Sequence, residues 1–144
     1  MNKLTPQPNE NLTLMQLYYP EKHRTALEER LQTQPAPWLL VCFCAAWCRT
    51  CAGFEQALED FAQQNSELVC IWVDIETHEA LLLEEDLDNL PTFLLQQDGQ
   101  SVFYAPLPPQ VGHLQRLYEQ AQQGLLPPIS ELPDFSAKLR ALTD

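Results

Sequence analysis

The apolar positions of this chain fall into two kinds of run. Trp38-Leu39-Leu40-Val41-Cys42-Phe43-Cys44-Ala45 is apolar without interruption. Continuity over so short a length predicts a strand buried on both faces, because a half-exposed strand would alternate. Leu68-Val69-Cys70-Ile71-Trp72-Val73-Asp74 is a second run of the same kind. Between them Phe54, Ala57, Leu58 and Phe61 recur at i, i+3, i+4 and i+7. That spacing lines one face of a helix, and Glu55, Glu59, Gln63 and Gln64 are left for solvent. Buried strands separated by a helix predict parallel pairing and an α/β fold.

The flanking segments extend this pattern. Residues 1–10 are polar and rich in Pro and Asn, and read as a flexible N-terminal tail. Leu12–Leu17 reads as a first strand. Pro20 suits the first position of a helix, with Glu21 in its first turn and Ala26, Leu27 and Leu31 as a partial apolar face. Pro35 and Pro37 end it. A helix rich in Leu and Glu is predicted over about 77–87. Pro91 opens a strand over 92–96, Asp98-Gly99 makes a tight hairpin turn, and Ser101–Ala105 runs back antiparallel. Pro109 starts a last domain helix, with Leu114, Leu117, Tyr118 and Ala121 inward and Gly124 beyond its end. Leu125-Leu126-Pro127-Pro128 is a stiff link. It leads to a short helix over Asp134–Leu142, with Phe135, Leu139 and Leu142 on one side. That side either packs on the body or docks a partner. The organisation is a tail (1–10), an α/β domain (11–124) and a Pro-linked C-terminal extension (125–144).

Bulk properties narrow the function. A chain of 144 residues holds one domain with a real core. A formal charge of −12 argues against nucleic acid and anionic membrane surfaces as partners. Met1-Asn2-Lys3-Leu4-Thr5-Pro6 has no apolar leader region, and no run reaches the length of a membrane span. Five cysteines, an odd number, do not suggest a secreted disulfide scaffold. The expected location is therefore cytoplasmic.

The candidate chemistry sits at Trp47-Cys48-Arg49-Thr50-Cys51. A strand delivers Cys48 to a helix tip, where unpaired N–H groups and the positive end of the dipole favour a thiolate. Cys51 lies one turn deeper on nearly the same face. Two thiols so placed can close or open a small disulfide. Zinc ligands share the C-x-x-C spacing but want a second pair. The only later cysteine is Cys70, and His23, His78 and His113 are scattered. No metal and no cofactor beyond the cysteines is expected.

Strand, W-C-x-x-C, helix, strand ending in Asp74, helix, and Leu90-Pro91-Thr92-Phe93 opening another strand together resemble the thioredoxin family. The resemblance spans roughly Leu12 to Gly124. It implies a thioredoxin fold: a central mixed sheet of four to five strands with helices on both faces. It also implies a thiol–disulfide oxidoreductase acting on protein disulfides or dithiols, supplied by an electron donor or acceptor that the sequence does not identify. Cys48 would attack and Cys51 would resolve the mixed disulfide. Pro91 would be cis and face the cysteines, with the Leu90 backbone free to bind an extended peptide. Trp47 would flank the cysteines as an apolar contact, or else be a core residue. The rival is a thioredoxin-like interaction or chaperone module with incidental cysteines.

The chain departs from the family pattern in several places. Arg49-Thr50 replaces the usual Gly-Pro, and the Arg49 cation beside Cys48 should tune it toward the thiolate and a more oxidising couple. The family's buried strand carboxylate is replaced by Cys42, and a neighbouring Lys by Cys70. Cys42 and Cys70 either bond to each other or pack as small apolar groups. Glu55 is a candidate substitute for the carboxylate. Gln56 stands where a kinking Pro is common, so a straighter helix is expected. A Pro-rich rim, Tyr104-Ala105-Pro106-Leu107-Pro108-Pro109, replaces a Gly beside the peptide groove.

Overall fold

The structure is a computed structural model that describes residues 17–83, 87 and 89–142. Its centre is a five-stranded mixed sheet in the order β1-β3-β2-β4-β5. The strands are β1 (Leu17–Tyr18), β2 (Trp38–Cys44), β3 (Val69–Asp74), β4 (Thr92–Gln97) and β5 (Gln100–Pro106). β1 and β2 pair parallel to β3, whereas β4 is antiparallel to both β2 and β5. Among the described residues there are four α-helices: α1 (Pro20–Thr33), α2 (Arg49–Gln64), α3 (Val111–Gln122) and α4 (Phe135–Arg140).

Strand alternation divides the core into two layers. Leu40, Cys42, Cys44, Cys70, Phe93 and Leu95 face α2 and α3, meeting Phe54, Leu58, Phe61, Leu114 and Tyr118. Leu39, Val41, Phe43, Ile71, Val73 and Leu94 face the opposite side and meet Leu27, Leu81, Phe135 and Leu139. α2 buries the stripe expected of it and runs unbroken through Gln56, whose Nε2 donates to Asp60 Oδ1 at 3.1 Å.

Of the first predicted strand, residues 12–16 lie outside the described residues, as does the tail 1–10. The described part, Leu17–Tyr18, pairs with Cys70 and Ile71. The helix expected over about 77–87 is corrected. A single 3-10 turn occupies Glu79–Leu81, and Leu82 is already extended at φ −74° and ψ 144°. Leu81, Leu82 and Leu83 all turn into the second layer. Three consecutive inward residues do not form a helical stripe, so packing overrides helix propensity. Residues 84–86 and 88 lie outside the described residues. α3 begins at Val111 rather than Pro109, because Gln110 is still extended as its N-cap.

The C-terminal extension lies on the body of the protein. Phe135 and Leu139 are fully buried in the second layer. Asp134 caps α4 by accepting from Ser136 N at 2.9 Å. The buried Gln96 of β4 ties the segment down: its Oε1 accepts from Phe135 N at 2.9 Å and its Nε2 donates to Pro133 O at 3.1 Å. Ile129 N adds a bond to Ser101 O at 2.7 Å on β5.

Candidate functional site

β2 ends at Cys44, and the chain crosses Ala45, Ala46 and Trp47 before Cys48 caps α2. Cys48 takes the N-cap role usually held by Ser or Asp. Its Sγ accepts from Cys51 N at 3.3 Å. One orphan N–H of the helix tip is thereby aimed at sulfur. Cys48 is 9% exposed and Cys51 1%, so the outer thiol is the one nearer solvent. Arg49 and Thr50 are exposed at the first turn.

Trp47 is 64% exposed, which removes the core reading for it. Its Nε1 donates to Glu76 Oε2 at 3.1 Å, which fixes the indole beside the cysteine turn. Asp74 Oδ1 accepts from Glu76 N at 2.9 Å and Thr77 N at 3.3 Å. Asp74 therefore shapes the loop that carries the partner of Trp47. The Leu90–Pro91 peptide is cis. Phe43 registers with Thr92, which sets Pro91 at the end of β2 from which the cysteine turn departs. Leu90 is half-buried against the cysteine-bearing layer. Leu107 N donates to Pro91 O at 3.4 Å, so the Pro-rich rim does border this element.

The cysteines are arranged differently from the simple two-thiol expectation. All five belong to one core layer. The disulfide joins Cys44 to Cys51, with Cα atoms 5.9 Å apart, and Cys42, Cys48 and Cys70 are free. Cys42 registers with Trp72, and Cys70 with Leu40. The two therefore pack as buried thiols. Burial pushes the Cys70 thiol up to about 12, and it raises Cys42 well above the ordinary value, with the neighbouring Cys70 and Cys48 adding to the effect. Cys42 Sγ lies 3.5 Å from Cys44 Sγ. A bridged sulfur has no proton, so the Cys42 thiol is the donor.

The bond from Cys44 to Cys51 is what reading the sequence missed. The signal was present: Cys44 ends a strand, and Cys51 completes the first turn of the helix that returns over that end. Glu55 is engaged elsewhere. It accepts from the Tyr19 hydroxyl, and burial together with this carboxylate raises the Tyr19 phenol. Cavities lined by Leu31, Leu39, Asp134 and Arg140 lie beside α1 and α4, away from the cysteine turn. Among the described residues no group of three or more His, Cys, Asp or Glu side chains is arranged to hold a metal.

A thioredoxin family model matches residues 19–116. Thioredoxin-T of Drosophila melanogaster is 24% identical over 84 residues, covering 58% of this chain and 54% of that protein. The bifunctional thioredoxin reductase/thioredoxin of Mycobacterium leprae is 34% identical over 65 residues, covering 44% of this chain and 14% of that protein. The chain thus spans about half of the fly protein and a small part of the mycobacterial one. The crystal structure of a poplar thioredoxin h superposes with a TM-score of 0.60 at 18% identity, covering 74% of this chain and 96% of that one. At that identity the likeness shows the fold: a thioredoxin fold.

Proposed function

Because the chain belongs to the thioredoxin family, we propose that it is a thiol–disulfide oxidoreductase exchanging disulfides with protein substrates, with Cys48 attacking and Cys51 resolving. The observation that carries this reading is Cys48 itself: a free thiol at a helix N-cap, with the Cys51 N–H directed at its sulfur. That N–H and the dipole behind it offset negative charge on the attacking sulfur. Cys48 attacks one sulfur of a substrate disulfide, forming a mixed disulfide and releasing the other substrate sulfur as a thiolate. Cys51 then attacks Cys48, closing the internal disulfide and releasing the second substrate thiolate. Two electrons pass to the substrate, and an external dithiol returns them.

Trp47 supplies an exposed apolar contact for the substrate, and the Leu90–Pro91 backbone an edge for an extended peptide. Arg49 adds a cation beside the attacking sulfur. No cofactor beyond the cysteines is needed, and the partners are proteins bearing disulfides or dithiols rather than nucleic acid or membranes. Among the described residues no helix is long and apolar enough to cross a membrane. We assign the activity to the cytoplasm on cysteine usage, since five cysteines, an odd number, do not suggest a secreted disulfide scaffold.

The test is reduction of insulin disulfides by dithiothreitol. The wild-type protein should accelerate precipitation of the insulin chains, and Cys48→Ser should return it to the uncatalysed rate. A rate unaffected by Cys48→Ser, or no acceleration at all, would favour the interaction-module alternative.

A further inference from the structure

We propose that Cys44 is a third exchange thiol, which takes the disulfide over from Cys48 and stores it inside the protein as the Cys44–Cys51 bridge. The inference rests on the proposed exchange reaction and extends it. Its basis is the juxtaposition of three sulfurs around one helical turn. Cys51 Sγ is bonded to Cys44, while the Cys51 N–H reaches Cys48 Sγ at 3.3 Å. Cys51 is therefore placed between an outer and an inner partner. The 5.9 Å Cα separation of Cys44 and Cys51 lies within the range that a disulfide spans without backbone movement.

The added step is an isomerisation and needs no further oxidant. The Cys44 thiolate attacks Cys51 Sγ of the Cys48–Cys51 disulfide. The Cys44–Cys51 bond forms, the Cys48–Cys51 bond breaks, and Cys48 leaves as a thiolate that takes up the proton Cys44 gave up. Cys42 is positioned to assist, since its thiol lies 3.5 Å from Cys44 Sγ and can donate to it as a thiolate. Cys42 and Cys70 are free in the structure, so the bridge to Cys51 is made by Cys44 and by neither of them.

The stored bridge is shielded. Cys44 and Cys51 are 0% and 1% exposed, so a protein thiol cannot reach either sulfur directly. Cys48 becomes the sole port of entry and exit. Reduction of the bridge then begins with isomerisation back to Cys48–Cys51.

The experiment is disulfide mapping of the wild-type protein after oxidation by insulin, with acid quenching and alkylation of free thiols. Trypsin cuts after Arg49, which separates Cys51 from the peptide carrying Cys42, Cys44 and Cys48. Fragmentation of the linked peptides then locates the bridge. The expected result is a Cys44–Cys51 linkage with Cys48 alkylated, and its loss in Cys48→Ser, where insulin has no way in. Full alkylation of Cys44 in the oxidised wild-type protein would overturn the relay. So would a Cys44–Cys51 bridge forming from insulin as fast in Cys48→Ser as in the wild type. The insulin-reduction assay is a separate readout. If turnover depends on Cys48 but Cys44 is always alkylated, the relay fails and the exchange reading stands. If turnover ignores Cys48, the exchange reading itself fails.

Discussion

Cys48 and Trp47 illustrate how two adjacent residues divide the work at this site. Cys48 caps α2 and is the nucleophile of the proposed exchange, whereas Trp47 faces outward and is held by Glu76. Trp47→Ala should raise KM for a protein disulfide several-fold with little change in kcat. Stability should stay within about 0.5 kcal/mol, the usual range for an exposed position. Steady-state kinetics on insulin and a urea titration check the two halves of that statement. In the proposed exchange Arg49 contributes its charge. A glutathione-equilibrium titration should give a potential less negative than thioredoxin's roughly −270 mV. Arg49→Ala should move it in the negative direction by on the order of ten millivolts, a small step because the cation is exposed. The placement of Cys48 and Cys51 in the first turn of α2 was legible in the sequence because it depends only on local spacing. The bridge from Cys44 to Cys51 was signalled only in part, because the strand end can be read locally while the return of the helix over it is a tertiary relation.

Among the elements, those with strong local signals formed where the sequence placed them. β2, β3 and α2 follow from continuous apolar runs and one clean stripe. Asp98 and Gly99 both adopt positive φ, 55° and 79°, as the two-residue hairpin between β4 and β5 requires. The segment 77–87 misled because its leucines are consecutive, and consecutive apolar residues do not fix a period. The extension was legible as a short helix, but not its anchor: Gln96 gives no sign in sequence that it will bind Phe135 N from a buried position. This anchor makes α4 structural. Phe135→Ala should cost about 3–5 kcal/mol, the range for a buried aromatic truncated to Ala. Asp134→Ala should cost about 0.5–2 kcal/mol through loss of the cap. Denaturant unfolding measures both, and unchanged midpoints would show the extension to be loosely held.

The molecule as a whole is a sheet with two chemically distinct faces, one aliphatic and aromatic, the other carrying every cysteine. Two of those thiols couple stability to pH. Cys70 shifts from the ordinary 9.0 to about 12 in the fold, and Cys42 also shifts upward. Their neutral forms are favoured when folded, so between the two Cys70 values the folded chain holds more protons than the unfolded one. The stabilisation is complete below pH about 9 and is lost progressively as pH rises toward 12. The urea midpoint should therefore fall between pH 8 and pH 10.5, and fall less in Cys70→Ala; an equal fall in both would remove the thiol explanation. The central claim is that exchange enters through Cys48, and the covalent intermediate reports it most directly. Double replacement of Cys44 and Cys51 by Ser removes both thiols that could resolve a mixed disulfide. Intact-mass measurement of that variant after incubation with insulin should show one insulin molecule attached through a single mixed disulfide, and peptide mapping should place it on Cys48. No adduct, or an adduct on Cys42 or Cys70, would contradict the account.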